Sequence, residues 1–127
     1  MRIQMRLSHE ARVILEEEKL DCMKLGISKT SGEITDEIFE KLEGCLYQID
    51  WLFVKNNPNY EGVLAHYTST NPTTLNLNER TINIMEKLRD FLNSQLGMKR
   101  TVYKSFIIRI VLKAYKLNLE EHDIYKK

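Results

Sequence analysis

Alternating polar side chains close to the start of the chain are the residues best suited to recognition chemistry. The stretch consists of Arg2, Ile3, Gln4, Met5, Arg6 and Leu7. Because a strand sends successive side chains to opposite faces, one face would be apolar and the other would carry two arginines and a glutamine. Arginine pairs well with guanine edges, and glutamine with adenine edges, in the major groove of DNA. The pattern therefore predicts a strand that contacts DNA bases.

A second alternating stretch lies about 70 residues further along the chain and consists of Thr74, Leu75, Asn76 and Leu77. Asparagine suits adenine, and threonine can contact the methyl group of thymine. A helix-capping residue follows each stretch directly, Ser8 in the first case and Asn78 in the second. The order of a strand and a capped helix is thus repeated.

Caps and glycines in the first half predict two helices. Ser8 begins the first helix and Gly26 ends it, as a glycine after the last turn commonly does. Thr30 and Glu33 form a capping box for a second helix, with apolar residues at helical spacing. That helix is expected to run to about Lys55, where an Asn- and Pro-rich stretch begins.

The second half predicts two further helices by the same signals. Asn78 caps the third helix and Gly97 ends it, while Thr101 caps the fourth. The domain boundaries expected from this organisation are a first unit at 1–55, a linker at 56–72, a second unit at 73–118 and a tail at 119–127. The tail is polar and is expected to fray.

Composition predicts a cytoplasmic globular protein. The chain has 127 residues, of which 43% are hydrophobic, and no apolar run approaches the roughly 20 residues that span a bilayer. No signal peptide is expected, because no continuous apolar segment follows the first arginines. Cys22 and Cys45 lack metal-ligand spacing and are interpreted as small buried hydrophobes in a reducing compartment.

The charge distribution is more informative than the net charge of +1, which is low for a DNA-binding protein. Residues 1–55 contain eight Lys/Arg and 11 Asp/Glu, whereas residues 72–127 contain 11 Lys/Arg and six Asp/Glu. Local patches of positive charge, and not the total, determine the attraction to phosphates.

Catalytic and metal-binding patterns are not found in the sequence. His9, His66 and His122 are dispersed, with no Cys or carboxylate at ligand spacing. Neither a phosphate-binding glycine loop nor a nucleophile elbow is present. We therefore expect no cofactor, no metal and no enzymatic activity.

The repeated order of strand, capped helix, glycine, capped turn and second helix resembles the ribbon-helix-helix family of DNA-binding proteins. The resemblance covers residues 2–50 and 73–116. It implies a mainly α fold with a two-stranded antiparallel ribbon, in which two ribbon-helix-helix units form a pseudo-dimer within one chain. Physical reasoning favours the same arrangement, because one strand and two helices of about 45 residues cannot close a core alone.

The resemblance also implies two sets of DNA-contacting residues. The positions that contact bases are Arg2, Gln4, Arg6, Thr74 and Asn76. Pro72 takes the place equivalent to Arg2 in the second strand and cannot donate a hydrogen bond. The positions that contact phosphates lie at the start of the second helix of each unit, and they are Lys29, Thr30, Ser31, Gly32, Lys99, Arg100, Thr101 and Val102. Free N–H groups at a helix N-terminus attract anions.

The expected activity is sequence-specific binding of double-stranded DNA, at an asymmetric site because the two strands present different residues. The resemblance extends to TraY-type accessory proteins of plasmid conjugation, which act at an origin of transfer. The implied partners are DNA, a relaxase or another relaxosome protein, and further copies of the chain on adjacent sites. Trp51, Phe53 or the tail would mediate that self-association. The alternatives are a transcriptional repressor that regulates its own promoter, the DNA-binding half of an antitoxin or partition system, and a helical module for protein interaction.

Overall fold

Two short strands and five α-helices form the part of the chain that the computed structural model describes, which is residues 1–64, 72–95 and 104–127. The strands are β1 (Arg2–Met5) and β2 (Thr73–Asn76). The helices are α1 (His9–Lys24), α2 (Ser31–Leu42), α3 (Trp51–Asn56), α4 (Glu79–Gln95) and α5 (Lys104–Leu119). Short 3₁₀ turns at Glu43–Cys45 and Glu61–Leu64 precede α3 and β2.

The two strands pair antiparallel in one sheet, with Arg2 opposite Asn76 and Gln4 opposite Thr74. Met1 and Leu77 extend the ladder by one position. The Met1 amino group donates to the Leu77 carbonyl at 2.6 Å, and the Leu77 N–H donates to the Met1 carbonyl at 2.8 Å. The inner face of the sheet places Met5, Leu75 and Leu77 in the hydrophobic core, with Ile3 packed against it.

The predicted helix starts in the described residues are confirmed. The hydroxyl of Ser8 accepts a hydrogen bond from the Ala11 N–H at 3.2 Å, and the Asn78 side chain accepts one from the Thr81 N–H at 2.8 Å. Thr30 caps α2 in the same way through the Glu33 N–H at 3.1 Å. The predicted stop of α1 is also confirmed, because Gly26 has a left-handed φ of 79°. Its N–H donates to the Met23 carbonyl at 2.9 Å, as in a glycine-terminated helix.

Helix α5 forms the centre of the core. Its buried residues lie on all sides of the helix and include Ile107, Ile108, Ile110, Val111, Leu112, Ala114 and Leu117. A helix that is apolar all round is typical of a core element covered by its neighbours. The other helices pack around it, and no helix in the described part of the chain is long and apolar enough to cross a membrane.

Lys113 is a buried cation within this apolar helix. Its side chain is 0% exposed, and Nζ donates to the carbonyls of Lys55 at 3.3 Å and Asn57 at 2.8 Å. These carbonyls lie at the C-terminal end of α3, where partial negative charge accumulates and intrahelical donors are missing. Burial lowers the pKa of Lys113, while Glu61 and Glu10 oppose that shift. The contact ties α3 and the chain after it to α5.

The fold class predicted from the sequence is wrong. Within the described residues the chain is a mainly helical domain with five helices and one two-stranded sheet, and the two halves are not equivalent ribbon-helix-helix units. The predicted second helix does not continue to Lys55. It ends at Leu42, and after a 3₁₀ turn the chain begins a separate helix, α3, at Trp51.

Tertiary contacts around Asp50 explain the break in the predicted helix. The Asp50 carboxylate accepts a hydrogen bond from the Phe53 N–H at 3.0 Å and thereby caps α3. The indole N–H of Trp51 donates to the Leu46 carbonyl at 2.9 Å, and the Trp51 side chain is buried. These contacts hold the chain in a bend between α2 and α3. The helical spacing of the apolar residues is therefore not sufficient to form one continuous helix here.

The prediction of a fraying tail is wrong as well. Ile49 and Tyr125 form a β-bridge, and the Asp50 N–H donates to the Ile124 carbonyl at 2.7 Å. The Ile124 side chain is fully buried. One apolar residue in a polar segment is sufficient to dock the tail, because its burial is combined with backbone hydrogen bonds to a neighbouring turn.

Candidate nucleic-acid interface

The outer face of the sheet gathers the five side chains that the sequence assigned to base contacts. Arg2, Gln4, Arg6, Thr74 and Asn76 are all exposed. Four of them form two cross-strand pairs, Arg2 with Asn76 and Gln4 with Thr74. The fifth, Arg6, directly follows β1. Residues from distant parts of the chain are therefore brought to one surface.

The alternation of hydrogen-bonded and non-hydrogen-bonded pairs along the ladder places the two members of each cross-strand pair close together. Met1 and Leu77 exchange both of their backbone hydrogen bonds. Hydrogen-bonded and non-hydrogen-bonded pairs alternate along an antiparallel ladder, so the next pair, Arg2 with Asn76, is non-hydrogen-bonded. Such pairs have Cα atoms only about 4.5 Å apart. Arg2 and Asn76 are thus positioned to approach one ligand together.

Helix α5 supports the end of β1. The Ser105 hydroxyl donates to the Arg6 carbonyl at 2.7 Å. The next residue, Leu7, is buried, and Ser8 is also buried and donates from its hydroxyl to the Val63 carbonyl at 2.7 Å. These anchors fix the backbone at Arg6 and directly after it while the Arg6 side chain remains exposed.

The electrostatics of this face are uniformly non-acidic. Neither residues 1–9 nor residues 72–78, which include both strands, contain an Asp or Glu. Within residues 1–64, 72–95 and 104–127, no carboxylate forms an ion pair with Arg2 or Arg6. By contrast, Arg80 beside the sheet is paired with Glu43 and Glu40. Among the described residues, therefore, no carboxylate competes with an external anion for Arg2 or Arg6.

Gly32 in the first turn of α2 lies against the sheet. A Cβ atom at this position would be 2.4 Å from the Asn76 carbonyl oxygen and 2.8 Å from the Asn76 nitrogen. Only a glycine permits so close an approach between the helix and the strand backbone. Gly32 is buried, so its position indicates a packing role beside Asn76.

Lys29, Thr30 and Ser31, the other residues of the first half predicted to contact phosphate, differ in how far their polar groups are already engaged within the protein. The side chain of Lys29 forms an ion pair with Glu37, and this hydrogen bond raises the pKa of Lys29. Part of its charge is therefore already compensated. Thr30 is exposed but its hydroxyl caps α2, and Ser31 is half-buried with its carbonyl accepting from the Thr35 hydroxyl at 2.8 Å.

The predicted phosphate contacts of the second half lie outside the described residues. They are Lys99, Arg100, Thr101 and Val102. The described part of α5 begins at Lys104, which is exposed. Together with the Ser105 contact to Arg6, this places the N-terminal end of α5 beside β1.

The sequence was compared with protein-family models and with curated proteins, and the fold with solved structures. None of the three comparisons gives a significant match.

Asp36 is a supporting residue that sequence reasoning missed. Its carboxylate oxygen accepts hydrogen bonds from the Asn78 N–H at 3.2 Å and from the Thr81 hydroxyl at 2.6 Å. Asp36 on α2 thus fixes the junction of β2 and α4. The sequence signal for it is weak, since an aspartate inside a helix is most simply interpreted as a solvated residue.

Proposed function

We propose that the protein binds double-stranded DNA in a sequence-specific manner, with the outer face of the β1–β2 sheet in the major groove. The observation that carries the proposal is the composition of this face. Two exposed arginines, a glutamine, an asparagine and a threonine share it, the arginines form no ion pair within the residues that the structure describes, and neither strand contains a carboxylate. These are side chains that distinguish guanine, adenine and thymine by their edges.

The dimensions of the sheet suit this mode of binding. A two-stranded ribbon fits a major groove about 12 Å wide. Arg2 begins β1 and Arg6 directly follows it, and four residues of extended chain correspond to about 13 Å. This separation matches about four base-pair steps along the duplex. The two arginines can therefore contact bases near the two ends of one short site.

The two strands offer different chemistry, which supports recognition of an asymmetric site. β1 and the residue after it contribute long donors, Arg2, Gln4 and Arg6, whereas β2 contributes the shorter Thr74 and Asn76. A bidentate contact discriminates between bases by about 1–3 kcal/mol. The bases facing β1 should therefore be specified more strictly than those facing β2.

The biological role included in the proposal is that of an accessory protein at a plasmid origin of transfer, with a relaxase as partner, in the cytoplasm. It is supported by the sequence resemblance to TraY-type ribbon-helix-helix proteins and by the asymmetry of the face, which suits directional processing of DNA. Repression of a promoter is the alternative role. The location of the selected DNA site, beside a nick site or across a promoter, separates the two.

The test is selection of bound sequences from random duplex DNA, followed by titration of the selected site at several salt concentrations. Wild type should enrich an asymmetric motif, and its affinity should fall steeply with salt as phosphate counterions are released. The double variant Arg2→Ala, Arg6→Ala should lose at least about 30-fold in affinity for that site, corresponding to about 1 kcal/mol for each arginine.

A matched control variant also removes two positive charges, but from positions outside the sheet. Lys87 and Lys127 are exposed and lie outside the sheet. The double variant Lys87→Ala, Lys127→Ala should weaken specific and non-specific binding equally, and only a few-fold. Failure of wild type to enrich any motif contradicts the proposal, as does a control that loses as much specific affinity as the sheet variant.

A further inference from the structure

The second half of α1 carries apolar side chains that the fold does not bury. The helix buries Ala11, Ile14 and Leu15, all within its first two turns. Further along, Leu20 is 51% exposed and Met23 is 63% exposed. Val13, in the first half of the helix, is also exposed at 38%, so three large hydrophobic side chains of α1 are exposed. Contiguous exposed apolar residues of this kind mark interaction surfaces.

The exposed hydrophobic side chains within α1, Val13, Leu20 and Met23, lie on one side of the helix. Leu20 is nine residues from Ala11, which is two and a half turns, so the two point in opposite directions. Val13 lies seven residues from Leu20 and shares its side. We call this side the outer face of α1, and it consists of Val13, Glu16, Glu17, Leu20, Met23 and Lys24.

We propose that the outer face of α1 binds the same face of a second copy of this chain, with the two helices antiparallel and Leu20 at the two-fold axis. Such an interface is self-complementary, because each contact between a residue of one copy and a different residue of the other occurs twice, once in each direction. Leu20 of one copy packs on Leu20 of the other. The rotation also brings the two ends of the face together, so their charges decide whether the pairing is favourable.

The charges of the outer face are arranged for an antiparallel partner. Lys24 lies four residues, about 6 Å, beyond the axis, while Glu16 and Glu17 lie at a similar distance before it. Antiparallel pairing therefore sets the lysine of each copy at the level of the acidic pair of the other. Parallel pairing would instead set like charges beside each other, which is unfavourable.

The existing contacts of the two glutamates leave them available. Glu16 pairs with Lys19 at 3.4 Å and Glu17 with Lys116 at 3.6 Å. The side chains of Glu16 and Glu17 are 68% and 56% exposed, and exposed pairs contribute little to stability. A second copy can add Lys24 to this cluster without breaking a buried interaction.

The pairing is weak in dilute solution. One helix crossing covers less surface than the roughly 1,200–2,000 Å² of stable complexes. The dimer should therefore form at high protein concentration, or when two copies are held close together on one molecule of DNA. The proposal itself does not depend on DNA binding, and its test contains no DNA.

The test is sedimentation equilibrium of the full chain from about 10 μM to about 1 mM, a range that detects weak association. The mass of wild type should rise from monomer toward dimer. Leu20→Asp should raise the dimer dissociation constant by about a hundredfold or more, because each dimer loses two apolar contacts and gains two carboxylates at its axis. Lys24→Glu should also weaken the dimer, and the triple variant Glu16→Lys, Glu17→Lys, Lys24→Glu should restore it.

Leu52 supplies the matched control, because it is the same residue type with the same exposure of 51% on another helix. Leu52→Asp should dimerise like wild type. Far-ultraviolet circular dichroism verifies the fold of each variant, and both substituted side chains are at the surface. A wild type that stays monomeric across the range overturns the proposal. Equal effects of Leu20→Asp and Leu52→Asp overturn it too.

A cross-linking variant adds a positional readout. Leu20→Cys places two thiols at the proposed axis, so oxidation should link two copies by a disulfide. The native Cys22 and Cys45 are both partly buried, and wild type provides the background for their reactivity. Leu52→Cys should show no more cross-linked dimer than wild type. Preferential cross-linking through Leu52→Cys contradicts an axis at Leu20.

Discussion

Helices α1 and α4 occupy the same place in the two halves of the chain but bury different amounts of their length. Each follows a short strand, has a side-chain cap, and contains 16 or 17 residues. The apolar residues of α4 remain buried from Ile84 to Leu92, whereas burial in α1 ends at Leu15. Helix α4 therefore contributes to the core along most of its length, whereas α1 contributes fully buried residues only in its first half.

This difference shows that local signals determine where a helix begins, while its neighbours determine what it buries. Ser8 and Asn78 cap their helices by the same kind of bond. Both helices pack on α2 and α5, and α1 also contacts the 3₁₀ turn at Glu61–Leu64 near its N-terminal end. In its second half α1 is held on its inner side by the partly buried Cys22 and by the contact of Glu18 with Tyr115 on α5, so its outer face remains exposed.

The largest expected effect tests the contrast directly. Leu88 on α4 is fully buried and Leu20 on α1 is half exposed. Leu88→Ala should lower the free energy of unfolding by about 2–5 kcal/mol, because it leaves a cavity in the core. Leu20→Ala should change it by less than about 0.5 kcal/mol. Urea unfolding at low protein concentration measures both, and similar losses would remove the distinction between the helices.

A second expected effect concerns the strand that leads into α4. Gly32→Ala places a methyl group 2.4 Å from the Asn76 carbonyl oxygen. The strand or α2 must move, and such overpacking costs about 1–3 kcal/mol. Affinity for the selected DNA site should fall as well, since Asn76 is displaced. Gly44→Ala is the matched control, because nothing lies within 4 Å of that position. Unchanged stability in Gly32→Ala would contradict the close packing.

Substitution of the capping residues of α1 and α4, Ser8 and Asn78, should give a smaller difference in the free energy of unfolding than the two leucine substitutions. Ser8 is buried and makes two hydrogen bonds, one as the cap of α1 and one to the Val63 carbonyl. Asn78 is exposed and caps α4 through the Thr81 N–H. Ser8→Ala should lower the free energy of unfolding by about 2 kcal/mol, because the Val63 carbonyl also loses its donor. Asn78→Ala should lower it by about 1 kcal/mol. Thermal unfolding at neutral pH compares them, and the reverse order would contradict this account.

The smallest expected effect is a dependence on alkaline pH. Burial and the neighbouring Glu18 of α1 raise the pKa of Tyr115 to about 12. Since the pKa of an unfolded tyrosine is about 10, this contribution is complete below pH 10 and is lost as the pH rises to about 12. Tyr60 has a pKa raised to about 12 by its hydrogen bond with Glu120 and acts in the same direction. Tyr115→Phe should therefore reduce the slope of stability against pH in this window, as measured by urea titrations.

Local signals account for the parts of the molecule that could be predicted. The alternation around Gln4 and Thr74 placed both strands, and three predicted caps are confirmed by their hydrogen bonds. The outer face of the sheet follows from that alternation once the strands pair. Its role in DNA binding stays a prediction.

The unpredicted parts depend on contacts between residues distant in sequence. The start of α3 and the docking of the tail are coupled by the hydrogen bond from the Asp50 N–H to the Ile124 carbonyl. Gly32 was assigned to phosphate binding, but its burial against Asn76 becomes visible only when the helix meets the strand. Lys113 carries a charge, so the sequence alone predicts an exposed side chain. Its burial is explained by the carbonyls at the end of α3, which accept its hydrogen bonds. Trp51, expected at an interface between copies, is buried within the core.

The pairing of Arg2–Met5 with Thr73–Asn76 has a consequence for synthesis of the chain. β1 leaves the ribosome before β2, and β2 follows only after all of α1, α2 and α3 has been made. Until then its N–H and C=O groups have no neighbouring strand, and the closure of so long a loop carries an entropic cost. The residues of β1 and those of β2 therefore meet late in folding, so a nascent or truncated chain that stops before Thr73 contains only Arg2, Gln4 and Arg6 of the candidate surface.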